Sequence, residues 1–131
     1  MNKIKATIQA IETMEGITKI VSTFDKNSIK AITLELPQDI KVSDELFFIF
    51  KETEVGIAKH LSGEVSFSNA FKGDVVELEI GKILSKVVVL VNGEKIGSII
   101  TTDAIKRLSL QTGDTVTAFV KATEVGVEVL L

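Results

Sequence analysis

The chain of 131 residues carries one sequence twice. Lys51-x-Thr53-Glu54-Val55-Gly56 returns 70 residues later as Lys121-x-Thr123-Glu124-Val125-Gly126. Upstream of each, residues 2–12 (NKIKATIQAIE) align with residues 69–79 (NAFKGDVVELE) at an offset of 67, pairing Asn2 with Asn69, Lys5 with Lys72, Ile11 with Leu78 and Glu12 with Glu79. The unequal offsets place a three-residue deficit inside the first copy, around Leu34–Ile40, where the only proline, Pro37, stands. Each copy is about 60 residues, a size that buries too little surface to be comfortably stable alone. Two such copies must therefore cover one another or be covered by further chains.

The second copy reads as strands. Gly73–Ile80 alternates, with Val76, Leu78 and Ile80 on one face and Glu77 and Glu79 on the other, the signature of a half-buried strand. Lys86–Val91 is a β-branched run that reads as buried on both faces. Asn92-Gly93 then predicts a tight hairpin turn, because both residues tolerate positive φ, and Lys95–Ile100 returns as the partner strand. Thr102-Asp103 predicts a helix N-cap before Ala104–Leu108. Thr115–Ala122 alternates again, and Val125–Val129 closes the set. Five strands with one short helix after the third fit a small closed barrel, since closure removes the strand edges. The first copy follows the same plan with a weaker helix, Pro37 falling in its slot, where only a first turn tolerates it. The expected fold is all-β, two tandem OB-like five-stranded small barrels, each with one short helix. The expected division is a first barrel over residues 1–60, a connector over 61–68 and a second barrel over 69–131.

Composition narrows the chemistry. The chain has no Cys and one His, His60, which excludes thiol catalysis, disulfides and Cys- or multi-His metal sites. The net charge is −3, Arg107 is the only Arg, and seven Phe are the only aromatic residues. Nucleic acid is therefore not an expected partner. No apolar run approaches the roughly 20 residues of a membrane span, and the N-terminal stretch lacks a signal core. A cytoplasmic protein with no membrane partner is expected. His60 reads as an exposed residue beside the connector, Lys106-Arg107 as a solvated helix tip, and Phe47, Phe48 and Phe50 as core or interface.

Several segments together resemble the molbindin (Mop) branch of the TOBE family. Ser66-Phe-Ser-Asn-Ala-Phe-Lys-Gly73 is similar to the family opening Ser-Ala-Arg-Asn-x-Leu-Lys-Gly. Val87–Val91, Ile100-Thr-Thr-Asp-Ala104, Gly113-Asp114 and Lys121-Ala-Thr-Glu-Val125 follow the rest of the pattern in order. The resemblance covers the second copy and, at its two ends, the first. It implies a tandem-repeat protein that binds or stores molybdate or tungstate between barrels, with no organic cofactor, no metal cation and no catalysis. Carried onto this chain, the oxyanion-binding candidates are Ser66, Ser68, Asn69, Lys121, Ala122 and Thr123, with Lys51 and Thr53 as their first-copy equivalents. It also implies a homo-oligomer, a trimer of tandem chains. Ser68 stands where the family has Arg, and Glu52 stands where a small residue is usual. A carboxylate at Glu52 is expected to repel a dianion, so fewer or weaker sites are expected than a full-pattern member has.

The chemistry agrees with the resemblance. A tetrahedral dianion needs positive charge and several neutral donors shielded from water, which Lys, Ser, Thr and backbone N–H groups supply. No proton transfer is required of a chain this poor in His. The alternative is a regulatory or protein-interaction module of the same fold with weakened or lost oxyanion binding, which Ser68 and Glu52 would suit. From spacing alone, Lys121 with Thr123 is equally a solvated pair at a strand end, and Ser66 and Ser68 are ordinary connector residues.

Overall fold

The computed structural model describes residues 1–34, 36 and 39–130. The strands are β1 (Asn2–Met14), β2 (Ile17–Phe24), β3 (Asn27–Thr33), β4 (Glu45–Phe50), β5 (Gly56–Ala58), β6 (Asn69–Ile80), β7 (Leu84–Val91), β8 (Glu94–Thr101), β9 (Thr115–Val120) and β10 (Gly126–Val129). One α-helix is found among the described residues, α1 (Thr102–Leu108), and single 3-10 turns cover Glu52–Glu54 and Ala122–Glu124. The slot between β3 and β4 carries no α-helix among its described residues, and Pro37 lies outside them. The pairings also place the three-residue deficit in that slot. Thr33 corresponds to Ile100 at the 67-residue offset, and Glu45 to Thr115 at the 70-residue offset.

The strands form two five-stranded antiparallel sheets, ordered β10-β4-β1-β2-β3 and β5-β9-β6-β7-β8. End strands pack together in each, β3 with β10 and β5 with β8, curling the sheets into barrels. The closing strands are exchanged. β5 of the first copy pairs with β9 of the second, with Ile57 opposite Ala118, and β10 pairs with β4, with Val127 opposite Phe48. Val125–Val129 thus closes the first barrel and not its own copy. The repeat makes β4 and β9 near-equivalent partners, and alternation alone does not choose between them. Gly56 allows the crossing on one side, because a Cβ there would lie 2.5 Å from the Phe119 ring.

Local chemistry explains most elements. Asn92 and Gly93 adopt φ of 47° and 85° and join Val91 to Glu94, the tight turn expected from that dipeptide. Glu15 and Gly16 do the same between β1 and β2, with φ of 53° and 78°. The cap of α1 is Thr101, one residue before the expected position; its Oγ1 accepts from the Ala104 N–H at 3.1 Å. Thr102 is instead buried, its Oγ1 donating to the Gly81 carbonyl at 2.9 Å and lying 2.7 Å from Ser85 Oγ. In β6 the register slips between Val75 and Glu77, leaving Val76 as an extra residue. This bulge shifts the phase of the expected alternation: Val75 enters the core and Val76 is exposed, whereas Leu78 packs against the core as expected and Ile80 is exposed. β1 slips at the corresponding place, between Ile8 and Ala10.

The core runs through both barrels as one cluster. Phe48, Phe50 and Phe71 are its largest fully buried side chains, and Phe24 of the first copy meets Phe71 of the second edge-on at 5.5 Å. Phe47 is only half-buried and carries the Lys3 ammonium 4.3 Å above its ring. Two buried asparagines at the starts of the repeats lock the copies together. Asn2 donates to the Gly97 carbonyl at 2.9 Å and accepts from the Gly97 N–H at 2.7 Å. Asn69 does the same with Lys30, at 2.9 and 2.7 Å. Gly97 and Lys30 are themselves repeat equivalents, so each copy pairs a side-chain amide with the other copy's third strand.

Loss of either amide leaves a buried backbone N–H and C=O unpaired. Asn69→Ala and Asn2→Ala are expected to lower stability by about 1–3 kcal/mol each, read as a lower urea midpoint at unchanged slope. Exposed Thr123→Ala is expected to change it by less than about 0.5 kcal/mol.

Candidate functional site

The repeated Lys-x-Thr-Glu-Val-Gly segments fold identically. In the first, the Glu54 N–H donates to the Lys51 carbonyl at 3.0 Å and the Val55 N–H to the Glu52 carbonyl at 3.3 Å. In the second, the Glu124 N–H donates to Lys121 at 2.9 Å and the Val125 N–H to Ala122 at 3.2 Å. Val55 and Val125 sink into the core, and the turns are anchored by them. On the first turn, Ser98 Oγ adds a 2.6 Å bond to the Val55 carbonyl. Each turn packs on the opposite copy's third strand, the Lys51 turn on β8 and the Lys121 turn on β3.

This anchoring turns the polar residues outward. Lys51, Thr53, Lys121 and Thr123 are exposed, and their side chains have no hydrogen-bond or ion-pair partner among the described residues. They are donors without internal acceptors. A cleft of about 410 Å³ between the barrels brings Thr53 and Lys121 together with Glu54, Glu124, Phe67 and Phe119. A counterpart of about 210 Å³ is lined by Lys51, Glu54, Glu124, Met1 and Gly126. Ser66, Ser68, Asn69, Ala122 and Thr123 line neither cleft. Ser66 and Ser68 are exposed on either side of Phe67, whose ring packs on Phe119 at 4.5 Å. Asn69 is buried and committed to Lys30, so its amide is a fastener between the copies.

Glu52 lies differently from its expected role as a repelling charge. Its Oε2 accepts from Lys86 Nζ at 3.0 Å, and its Oε1 from the Met1 amino group at 3.1 Å. The Lys86 hydrogen bond, then that of the amino group, holds the Glu52 carboxyl below its ordinary pKa, and the same bond raises Lys86. The carboxylate is therefore neutralised within the chain.

Sequence reasoning missed a second polar region. A cavity of about 720 Å³ is lined by Lys59, His60, Lys72, Asp114, Thr115 and Thr117. Lys59 Nζ reaches Asp114 at 3.2 Å and donates to the Leu108 and Ser109 carbonyls at the end of α1. The Gln111 backbone N–H, then Lys59, lowers the Asp114 pKa. His60 is exposed at a φ of 58°. Lys59 and Asp114 come together through the strand exchange, which no local pattern signals. Among the described residues, no group of three or more His, Asp or Glu side chains is placed to hold a metal ion. Among the described residues, no helix is long and apolar enough to cross a membrane.

A family model for the TOBE domain matches residues 66–127. Molybdenum-pterin-binding protein 1 of Clostridium pasteurianum is 40% identical over 62 residues, 47% of this chain and 91% of that protein. Molybdenum transport protein ModE of Herbaspirillum seropedicae is 31% identical over 125 residues, 94% of this chain but 44% of that protein, so this chain spans less than half its length. A crystal structure of ModG, described as a cytoplasmic molybdate-binding protein with molybdate bound, superposes with a TM-score of 0.93 over 98% of this chain and 96% of that one. The identity there is 24%, and the likeness is one of fold.

The Glu52 pairing predicts an acid-side effect. A carboxylate whose folded pKa is depressed adds stability above its unfolded pKa, and that stability is lost as pH falls towards the folded value. Glu52→Gln is expected to be less stable than the parent near neutrality. The difference should shrink as pH falls below about 4.5, the ordinary carboxylate range. Thermal unfolding across pH checks this, and the partial exposure of the pair keeps the effect small.

Proposed function

Because the chain belongs to the TOBE-domain family, in its molbindin (Mop) branch, we propose that it binds molybdate or tungstate and holds the ion without transforming it. The observation that carries this reading is the duplicated turn. Lys121 with Thr123, and Lys51 with Thr53, each present an ammonium and a hydroxyl that nothing within the described chain uses. An oxyanion with four acceptor oxygens matches such donors, and a Lys donor supplies a charge-assisted bond to it. The donors are outward and Ser66 and Ser68 lie outside both clefts. A complete site therefore draws on a barrel of another chain, where donors converge and water is excluded. Selection of molybdate over sulfate then follows from cavity size, since the smaller ion cannot reach all donors at once.

The proposed assembly is a trimer of tandem chains with closed symmetry. Two long hairpins support it. β1–β2 ends in exposed Met14 and Ile17, and β6–β7 in exposed Ile80, Ile83 and Leu84. Ile17 and Leu84 are repeat equivalents, and paired apolar tips of this kind suit contact with further copies. The working place is the cytoplasm, as for ModG. The division into barrels over 1–60 and 69–131 with a connector over 61–68 describes the repeats as inherited units. The second reading is a regulatory or protein-interaction module of the same fold with weakened or lost oxyanion binding, which Ser68 in the place of the family's Arg would suit.

Isothermal titration of the folded protein with sodium molybdate, tungstate and sulfate tests the function. Heat is expected with the first two, with sulfate far weaker, and Lys121→Met is expected to weaken molybdate binding by about tenfold, the loss of one charge-assisted bond. Absence of heat at millimolar molybdate overturns the proposal. Light scattering is expected to give three times the 14.2 kDa chain mass; a monomer overturns the trimer.

A further inference from the structure

The two halves share a backbone but not a charge distribution. Across the repeat, Glu52 corresponds to Ala122, Gly97 to Lys30, Lys86 to Lys19 and Met1 to Ser68. In the Lys51 half, the Glu52 carboxylate rests over Gly97, where an added Cβ would lie 2.7 Å from Oε2. Each of its oxygens accepts from a different cation, Lys86 at 3.0 Å and the Met1 amino group at 3.1 Å. The side chain is 22% exposed, drawn in against β8. A small anionic group with a cationic donor on each oxygen, over a residue without a side chain, has the geometry of an anion already bound.

The Lys121 half has the opposite arrangement. Ala122 brings no carboxylate. Lys30 replaces Gly97, is half-buried, and has no ion pair among the described residues. Lys19, the counterpart of Lys86, turns to Glu12 at 3.4 Å. Lys30 thus stands on the strand beneath the Ala122 turn, and the carboxylates of the adjoining cleft, Glu54 and Glu124, are exposed and make no ion pair with it. Lys30 is also fixed there, because Asn69 holds its backbone N–H and C=O.

We infer that Glu52 is an internal anion: it answers within the chain the cations of the Lys51 half, whereas the Lys121 half, with Ala122 in its place and Lys30 on the strand beneath the turn, takes an external tetrahedral oxyanion and draws on Lys30 for the charge that Ser68 lacks. The halves are therefore unequal, one closed by its own carboxylate and one open. This rests on the oxyanion-binding reading and adds to it which half binds, and why.

The test counts molybdate bound per full-length chain by titration calorimetry, with sodium sulfate as control and circular dichroism to confirm folding. Glu52→Ala, which copies the open half, is expected to gain one equivalent per chain. The gain is expected to vanish in Glu52→Ala combined with Lys86→Met. Lys30→Met is expected to weaken binding in the parent chain by about tenfold or more and to leave the gained equivalent intact. Glu52→Ser replaces Glu52→Ala if the latter does not fold. Binding by the parent chain with no gain in the Glu52 variants overturns the inference and leaves the oxyanion reading standing. Binding by neither overturns both. Binding by the Glu52 variant alone upholds the internal anion and overturns the assignment of the working site to the Lys121 half. A gain that survives loss of Lys86, or binding indifferent to Lys30→Met, also overturns the inference.

Discussion

Neither barrel is complete without a strand from the other copy. β5 lies on β9 and β10 lies on β4, so the segment that leaves each Lys-x-Thr-Glu turn belongs to the neighbouring sheet. Much else follows from that exchange. It carries Val55 and Val125 into a core shared by both copies and sets each turn on the opposite third strand. It also brings Lys59 from the first copy to Asp114 of the second. The Asn2 and Asn69 amides complete the junction from the other end of each repeat.

The turns illustrate how a shared backbone carries unequal chemistry. Their hydrogen bonds match to within a few tenths of an ångström, since geometry is set by the buried Val and the strand that follows. The second position of the turn faces the opposite strand and is not needed to hold the turn. It is therefore free to be Glu in one copy and Ala in the other. On the Glu52 side, electrostatics is set by residues distant in sequence, Lys86 and Met1.

That distance explains what could be read from residues in order and what could not. The Asn92-Gly93 turn, the Phe48 and Phe50 core and the valines of β7 were legible because each depends on neighbours along the chain. The burial of Val75 in place of Val76 was not, because one extra residue at Val76 shifts the phase of β6 and nothing in composition marks it. The strand exchange was hidden by the repeat itself, which makes two pairing partners nearly alike. Of the site residues, Lys51, Thr53, Lys121 and Thr123 are exposed, with side chains unpartnered among the described residues. Asn69 entered as an oxyanion-binding candidate through the family resemblance alone, and its bonds to the Lys30 backbone, 39 residues away, could not be read along the chain. Glu52 read as a repelling charge because its two cations come from outside the segment.

The exchanged strands make this chain, in effect, a dimer of one repeat joined end to end. The connector need only keep the partners at high local concentration, since the contacts between them do not require it. Fusion has a further effect that concentration does not capture. Two identical repeats meeting as separate chains carry the same residue at both turns, so each substitution is made twice and by symmetry. Within a single chain the two positions are inherited independently, and one junction can hold Glu52 while the other holds Ala122.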